Sequence, residues 1–152
     1  MDKDLNKIHT LMRQLFGLVH RLEDEAIKAS EFSDLSRAEI SAIMAIGTGR
    51  PKTMTHVANI LEINVSTLTT TINKLVKKGY VERLRDDKDR RIVKIGLSEK
   101  GIAAATERDS FMGELLRGAV EQVDPDKLRY FISAIDNINQ YFMAKSSMSY
   151  LK

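Results

Sequence analysis

A chain of 152 residues with 43% hydrophobic and 30% charged side chains can build one domain with a real core, or a small domain with dimerisation arms. It has no cysteine, which excludes disulfides, thiolate metal sites and thiol redox sensing, and makes a reducing cytoplasm the simplest home. No apolar run approaches the ~20 residues of a membrane span, and MDKDLNKIHTLM lacks the basic-then-apolar order of a signal peptide, so no membrane partner is expected.

Residues 2–29 are predicted to form one long helix. Leu5, Ile8, Met12, Leu15, Val19, Leu22 and Ala26 recur at spacings of three and four, and Leu11, Phe16 and Leu18 widen the stripe. A stripe this wide needs a cover, either its own domain or a partner chain. In LSRAEISAIMAIG, Ser36 and Glu39 form a capping box ahead of a short core helix. TGRPKT, residues 48–53, reads as a loop. Thr53 caps a second short helix to about Leu61, and EIN is a tight turn. Asn64 caps a third helix, Val65 to Lys78, which Gly79 stops. Two short helices joined by a three-residue turn make a helix-turn-helix.

YVERLR and RIVKIGL read as the two strands of a β-hairpin with six charged residues, 86–91, at its tip. Ser98 caps a further helix to about Val123. Asp124-Pro125 opens the last one, to about residue 145, with Leu128, Phe131, Ile135, Ile138 and Phe142 in a stripe and a frayed tail after it. The expected fold is mainly α with a small β-hairpin (α+β): a winged helix-turn-helix between N- and C-terminal dimerisation helices. Within a single domain, 1–152, residues 36–98 would form the lobe, and 2–29 and 99–146 the arms.

Charge is concentrated in that lobe. The formal net charge is +3, yet between Asn64 and Lys94 nine Lys/Arg stand against four acids, a local +5. Such a segment suggests a polyanion partner, although a solvated surface would look similar. On the third helix, Leu68, Ile72 and Leu75 share one face. The other carries Ser66, Thr67, Thr70, Asn73, Lys74 and Lys77, without an acid. Hydroxyls, an amide and ammonium groups can meet base edges and phosphates. Threonine is a mediocre helix former, so TLTTT is costly unless something uses it. At the hairpin tip, Arg90 and Arg91 can enter a narrow minor groove, with Asp89 orienting one guanidinium. A polar turn alone would explain the aspartates there, but not two adjacent arginines.

Asp89-x-Arg91, five residues, Leu97-Ser98, two residues, Gly101 resembles the wing signature of the MarR-type transcriptional regulators, with Ser98 where threonine is usual. STLTTTINKLVKKGYVER resembles that family's recognition helix, glycine stop and first wing strand. The resemblance implies a homodimer of interleaved terminal helices that binds a pseudo-palindromic double-stranded DNA operator, with repression as the default. It places Arg91 in the minor groove, Asp89 as its orienting partner, and Ser66, Thr67, Thr70 and Lys74 at the major groove. Residues 67–101 are also similar to the branch that represses bacterial fatty-acid synthesis genes and responds to acyl groups on acyl carrier protein. The family implies a ligand site between lobe and dimer helices, for which Met12, Phe16 and Met44 are candidates; apolar residues at helical spacing also suit plain core.

No metal site is expected, since His9, His20 and His56 are scattered and only His20, Glu23 and Asp24 are grouped. No phosphate loop, nucleophile elbow or placeable carboxylate pair suggests an enzyme or a cofactor. The alternative is a winged-helix protein–protein interaction module without DNA binding, which would show acids or large apolar groups on the third helix and no arginine pair.

Overall fold

The computed structural model describes residues 2–85 and 92–149, with side chains to residue 145. Its elements are α1 (Asp2–Ala29), α2 (Arg37–Ile46), β1 (Lys52–Thr53), α3 (Met54–Ile60), α4 (Val65–Lys77), β2 (Val81–Arg85), β3 (Val93–Leu97), α5 (Glu99–Val120) and α6 (Pro125–Ser149). Short polar side chains start most of the helices. Glu39 N–H donates to Ser36 Oγ at 3.3 Å while Ser36 N–H donates to Glu39 Oε2 at 2.7 Å, the reciprocal pair of a capping box. Thr53, Asn64 and Ser98 accept from the backbone of His56, Thr67 and Gly101 at 3.2, 2.7 and 3.1 Å.

The expected two-stranded hairpin is a three-stranded antiparallel sheet in the order β1-β3-β2. Arg83 stands opposite Ile95 on one side, and Lys52 opposite Ile95 on the other. The TGRPKT segment is therefore not all loop. Two residues are too few to show a period, and Pro51 just before them reads as a breaker. A tether back to α2 supports this edge strand: Lys52 Nζ donates to the carbonyls of Ala45 and Ile46 at 3.0 and 2.7 Å, satisfying the open end of α2. Helix α5 ends at Val120, short of the expected Val123. Helix α6 runs on to Ser149, past the expected frayed end.

The described residues fall into two compact units, 2–109 and 110–149. In the first, α2, α3, α4 and the sheet enclose a core of Ile43, Ile46, Val57, Leu68, Ile72, Leu75, Tyr80 and Ile95, each almost fully buried. Helix α1 buries none of its residues. Near its C-terminal end, Asp24 accepts from Arg37 at 2.6 Å and Glu23 pairs with Arg108 of α5. The second unit holds the end of α5 and α6. Leu116, Val120, Leu128, Phe131, Ile132 and Ile135 line a groove of ≈630 Å³, with Arg117 and Asp136 among its polar residues.

The turn after α4 organises the first unit. Gly79 has φ +81°, and its N–H reaches Val76 O while Tyr80 N–H reaches Leu75 O, the two bonds of a Schellman motif. Lys78 Nζ donates to Asp34 O at 2.5 Å and to Glu39 Oε2 at 2.8 Å. Tyr80 is wholly buried, edge-on to Phe32, and its hydroxyl donates to Asp34 Oδ1 at 2.6 Å. Burial and that carboxylate push its phenol well above the ordinary value. Ser98 Oγ donates to Gly79 O at 2.6 Å, and Ser98 N–H to Tyr80 O at 3.0 Å. A Cβ on Gly101 would lie 2.1 Å from Tyr80 O, so the backbones touch there.

Two outcomes are expected. Gly101→Ala should cost about 1–3 kcal/mol, because backbone rather than a flexible side chain must move; an unchanged urea midpoint would refute the contact. Burial alone raises the Glu39 carboxyl, but hydrogen bonds from Lys78 and Ser36 outweigh it and hold it below its ordinary 4.5. Ionised Glu39 therefore adds stability above that value, and the gain is lost as pH falls through the lowered one. The stability gap between wild type and Glu39→Gln should shrink from neutral pH to well below 4.5. Urea melts that keep a constant gap would refute this.

Candidate nucleic-acid interface

Helix α4 divides cleanly between core and solvent. Leu68, Ile72 and Leu75 are fully buried, and burying side chains of this size is worth about 1.5–3 kcal/mol each. That anchoring leaves the opposite face free of structural duty. Ser66, Thr67, Thr70, Asn73, Lys74 and Lys77 are all exposed, and no acid lies between Val65 and Lys77. Ser66, Thr70, Asn73 and Lys77 follow one another at helical spacing and make one row along the helix.

The threonines do not fray the helix. Thr69 Oγ1 donates to Val65 O at 2.7 Å, a firm bond back to the preceding turn. Thr70 and Thr71 make the same contact at 3.4 Å, near the limit of a hydrogen bond. Asn64 Oδ1 also accepts from Ser66 Oγ at 2.7 Å, so one capping amide fixes two groups at the helix start.

A further residue joins this face, and sequence reading missed it. Arg83, exposed on β2, donates from Nη2 to Asn73 Oδ1 at 2.5 Å. Arg83 counts among the nine Lys/Arg between Asn64 and Lys94, which was the available signal. Its partner on the helix was not readable. Asp89, Arg90 and Arg91 lie outside the described residues.

The other candidates lie on α1 and α2. Met44 packs against the core of the first unit, Met12 is half-buried, and Phe16 stands exposed on α1. None of the three lines the groove of the second unit. His20 approaches Glu23 at 3.4 Å, but Glu23 also pairs with Arg108 and Asp24 with Arg37. The Arg37 hydrogen bond holds the Asp24 carboxyl below the usual range. Among the described residues, no three His, Asp or Glu side chains gather closely enough to hold a metal. No described helix is long and apolar enough to cross a membrane.

A helix-turn-helix with a capped, acid-free outer helix, followed by a small antiparallel sheet, defines the winged helix-turn-helix class. Comparison with known proteins narrows this. A model of the MarR family matches residues 33–92. The HTH-type transcriptional regulator SarZ of Staphylococcus saprophyticus is 35% identical over 100 residues, which cover 62% of this chain and 68% of that protein. The uncharacterised HTH-type transcriptional regulator YpoP of Bacillus subtilis is 32% identical over 94 residues, and the chain spans 64% of its length, a little under two thirds. The crystal structure of Streptococcus pneumoniae FabT in complex with DNA superposes with a TM-score of 0.87 at 26% identity, covering 91% of this chain and 97% of that one. The chain belongs to the MarR family. Members of that family are regulators rather than enzymes, as the names of these relatives are.

Proposed function

We propose that this protein is a homodimeric regulator that reads double-stranded DNA at a pseudo-palindromic operator and represses transcription there. The observation that carries the reading is the outer face of α4. It is exposed, rich in donors, and free of acids, while its inner face is locked into the core. Such a face suits a groove lined by phosphates. The likeness to a FabT structure that contains DNA supports it. In this reading residues 36–98 form the DNA-binding lobe. Ser66, Thr67, Thr70, Asn73, Lys74 and Lys77 face the major groove, and Asp89, Arg90 and Arg91 serve the wing tip. With DNA as its partner, the cytoplasm is the location we propose.

Dimerisation through 2–29 and 99–146 is supported by apolar surface without a cover. Leu5, Leu11, Leu15 and Phe16 on α1 are each more than half exposed, and so are Phe131, Ile132 and Phe142 on α6. Faces of this extent on a single chain mark an interaction surface. The effector we propose is an acyl group, free or on acyl carrier protein; the resemblance of residues 67–101 to the fatty-acid branch and the FabT likeness support it. It acts by preferring one spacing of the two lobes.

A salt-series titration against duplex from upstream of the gene, with a scrambled control, tests the reading. Expected are a preference for the native duplex and log affinity that falls steeply with log salt. Arg91→Ala should weaken that binding by about 1–3 kcal/mol with an unchanged circular dichroism spectrum; an unchanged affinity would remove the wing arginine from the site. Sedimentation at micromolar concentration should show a dimer, and a folded monomer would refute the proposed assembly.

A further inference from the structure

Arg83 and Asn73 meet between two elements of the lobe. Arg83 belongs to β2 and Asn73 to the outer row of α4 that also holds Ser66, Thr70 and Lys77. The contact is a single hydrogen bond of 2.5 Å between exposed side chains. Exposed pairs of this kind contribute little to stability, so the core does not account for it. Its consequence is chemical. A guanidinium has five donors and no acceptor, so the amide oxygen of Asn73 must be the atom that faces Arg83. This fixes an amide whose terminal torsion is otherwise free to flip through half a turn. The Asn73 NH2 is then turned away from Arg83.

We infer that Arg83 is a specificity-determining residue, which holds Asn73 as a hydrogen-bond donor so that the two side chains together read a guanine in each half-site. The inference rests on the DNA-binding reading above and deepens it. An asparagine reads adenine by giving one hydrogen bond and accepting another; here Arg83 takes one of the two lone pairs of the accepting oxygen and turns that oxygen towards β2. What the pair offers outward is donors: the NH2 of Asn73 and the remaining N–H groups of Arg83. Guanine presents two adjacent acceptors, N7 and O6, on its major-groove edge. Adenine presents one acceptor beside a donor, and cytosine presents a donor. Phosphate oxygens offer the same acceptor chemistry without sequence, and the test separates the two.

The full-length protein would be used to select duplexes from a randomised pool, alongside Arg83→Ala, Asn73→Ala and Asn73→Asp. Both positions are at the surface, and circular dichroism and urea melts would confirm the fold of each of the three variants. Asn73→Asp keeps an acceptor for Arg83 but loses the NH2. Wild type should enrich a two-fold symmetric motif with a guanine at one position of each half-site. All three variants should lose preference at that same position, by about 5- to 100-fold in relative affinity, and keep it elsewhere. Titration of the selected duplex should give a double variant no worse than the poorer single one. Loss of affinity by Arg83→Ala on every duplex alike, with a smaller salt slope, would make Arg83 a phosphate contact and overturn the inference. So would an Asn73→Asp motif identical to that of wild type. If wild type enriches no motif at all, the DNA-binding reading itself fails, and this inference with it.

Discussion

Three residues, Lys78, Gly79 and Tyr80, constrain the rest of the lobe. The chain must leave α4 and enter β2 within this span, and Gly79 takes the left-handed conformation that permits it. Each neighbour then grips the turn. Lys78 bridges Asp34 and Glu39, Tyr80 fills the centre of the core, and Ser98 and Gly101 close over the Tyr80 carbonyl. Lys100 lies 4.0 Å above the Tyr80 ring and reaches Lys78 O at 3.3 Å, which adds a cation at the end of α4 where carbonyls are exposed. One atom of Glu39, Oε1, is buried with no hydrogen-bond partner. A buried carboxylate with an unpaired oxygen is costly, and Lys78 is what makes it tolerable.

This anchoring explains how α4 can carry so indifferent a helical sequence. Thr67, Thr69, Thr70 and Thr71 have low helix propensity, and a helix of 13 residues is marginal in water. Its stability comes from both ends and one side: the Asn64 cap, the Schellman turn and three buried aliphatic side chains. With those in place, the outer face can be chosen for contact alone. The Arg83–Asn73 bond belongs to this second economy of side chains. It links two exposed groups that the fold does not require.

Much of this was legible because the determining interactions are local. Ser36 with Glu39, Thr53 with His56 and Asn64 with Thr67 are all three residues apart, so caps and helix starts could be read directly. The buried face of α4 follows from period alone. What escaped was set by distant partners. Tyr80 and Asp34 are 46 residues apart, and Lys78 and Glu39 are 39. No pattern in the sequence marks Lys52 as a strand residue, since its role depends on Ile95 and on carbonyls of α2. Gly101 was legible as part of a motif, but the reason for a glycine there is the Tyr80 carbonyl. The acids beside His20 likewise answer to distant partners. Neighbours in sequence, the two acids are each engaged by an arginine from elsewhere.

The same turn bears on how a distant event could reach α4. Helix α5 starts on it: the cap residue Ser98 is bonded to Gly79, and Gly101 in the first turn has no clearance from Tyr80. The end of α4 and the beginning of α5 are therefore referred to one point, with backbone against backbone. A joint padded by side chains would absorb small displacements through rotamer changes, whereas packed backbone passes them on. In the proposed dimer, the long helices set the spacing of two α4 helices. An effector bound among them needs no contact with the reading face to act on it. It needs a different affinity for two helix arrangements, and that difference bounds the change in operator binding it can cause. On the proposed reading, stiffness at Gly101 would serve regulation as well as stability, because a softer joint would absorb the effector's binding energy within the turn.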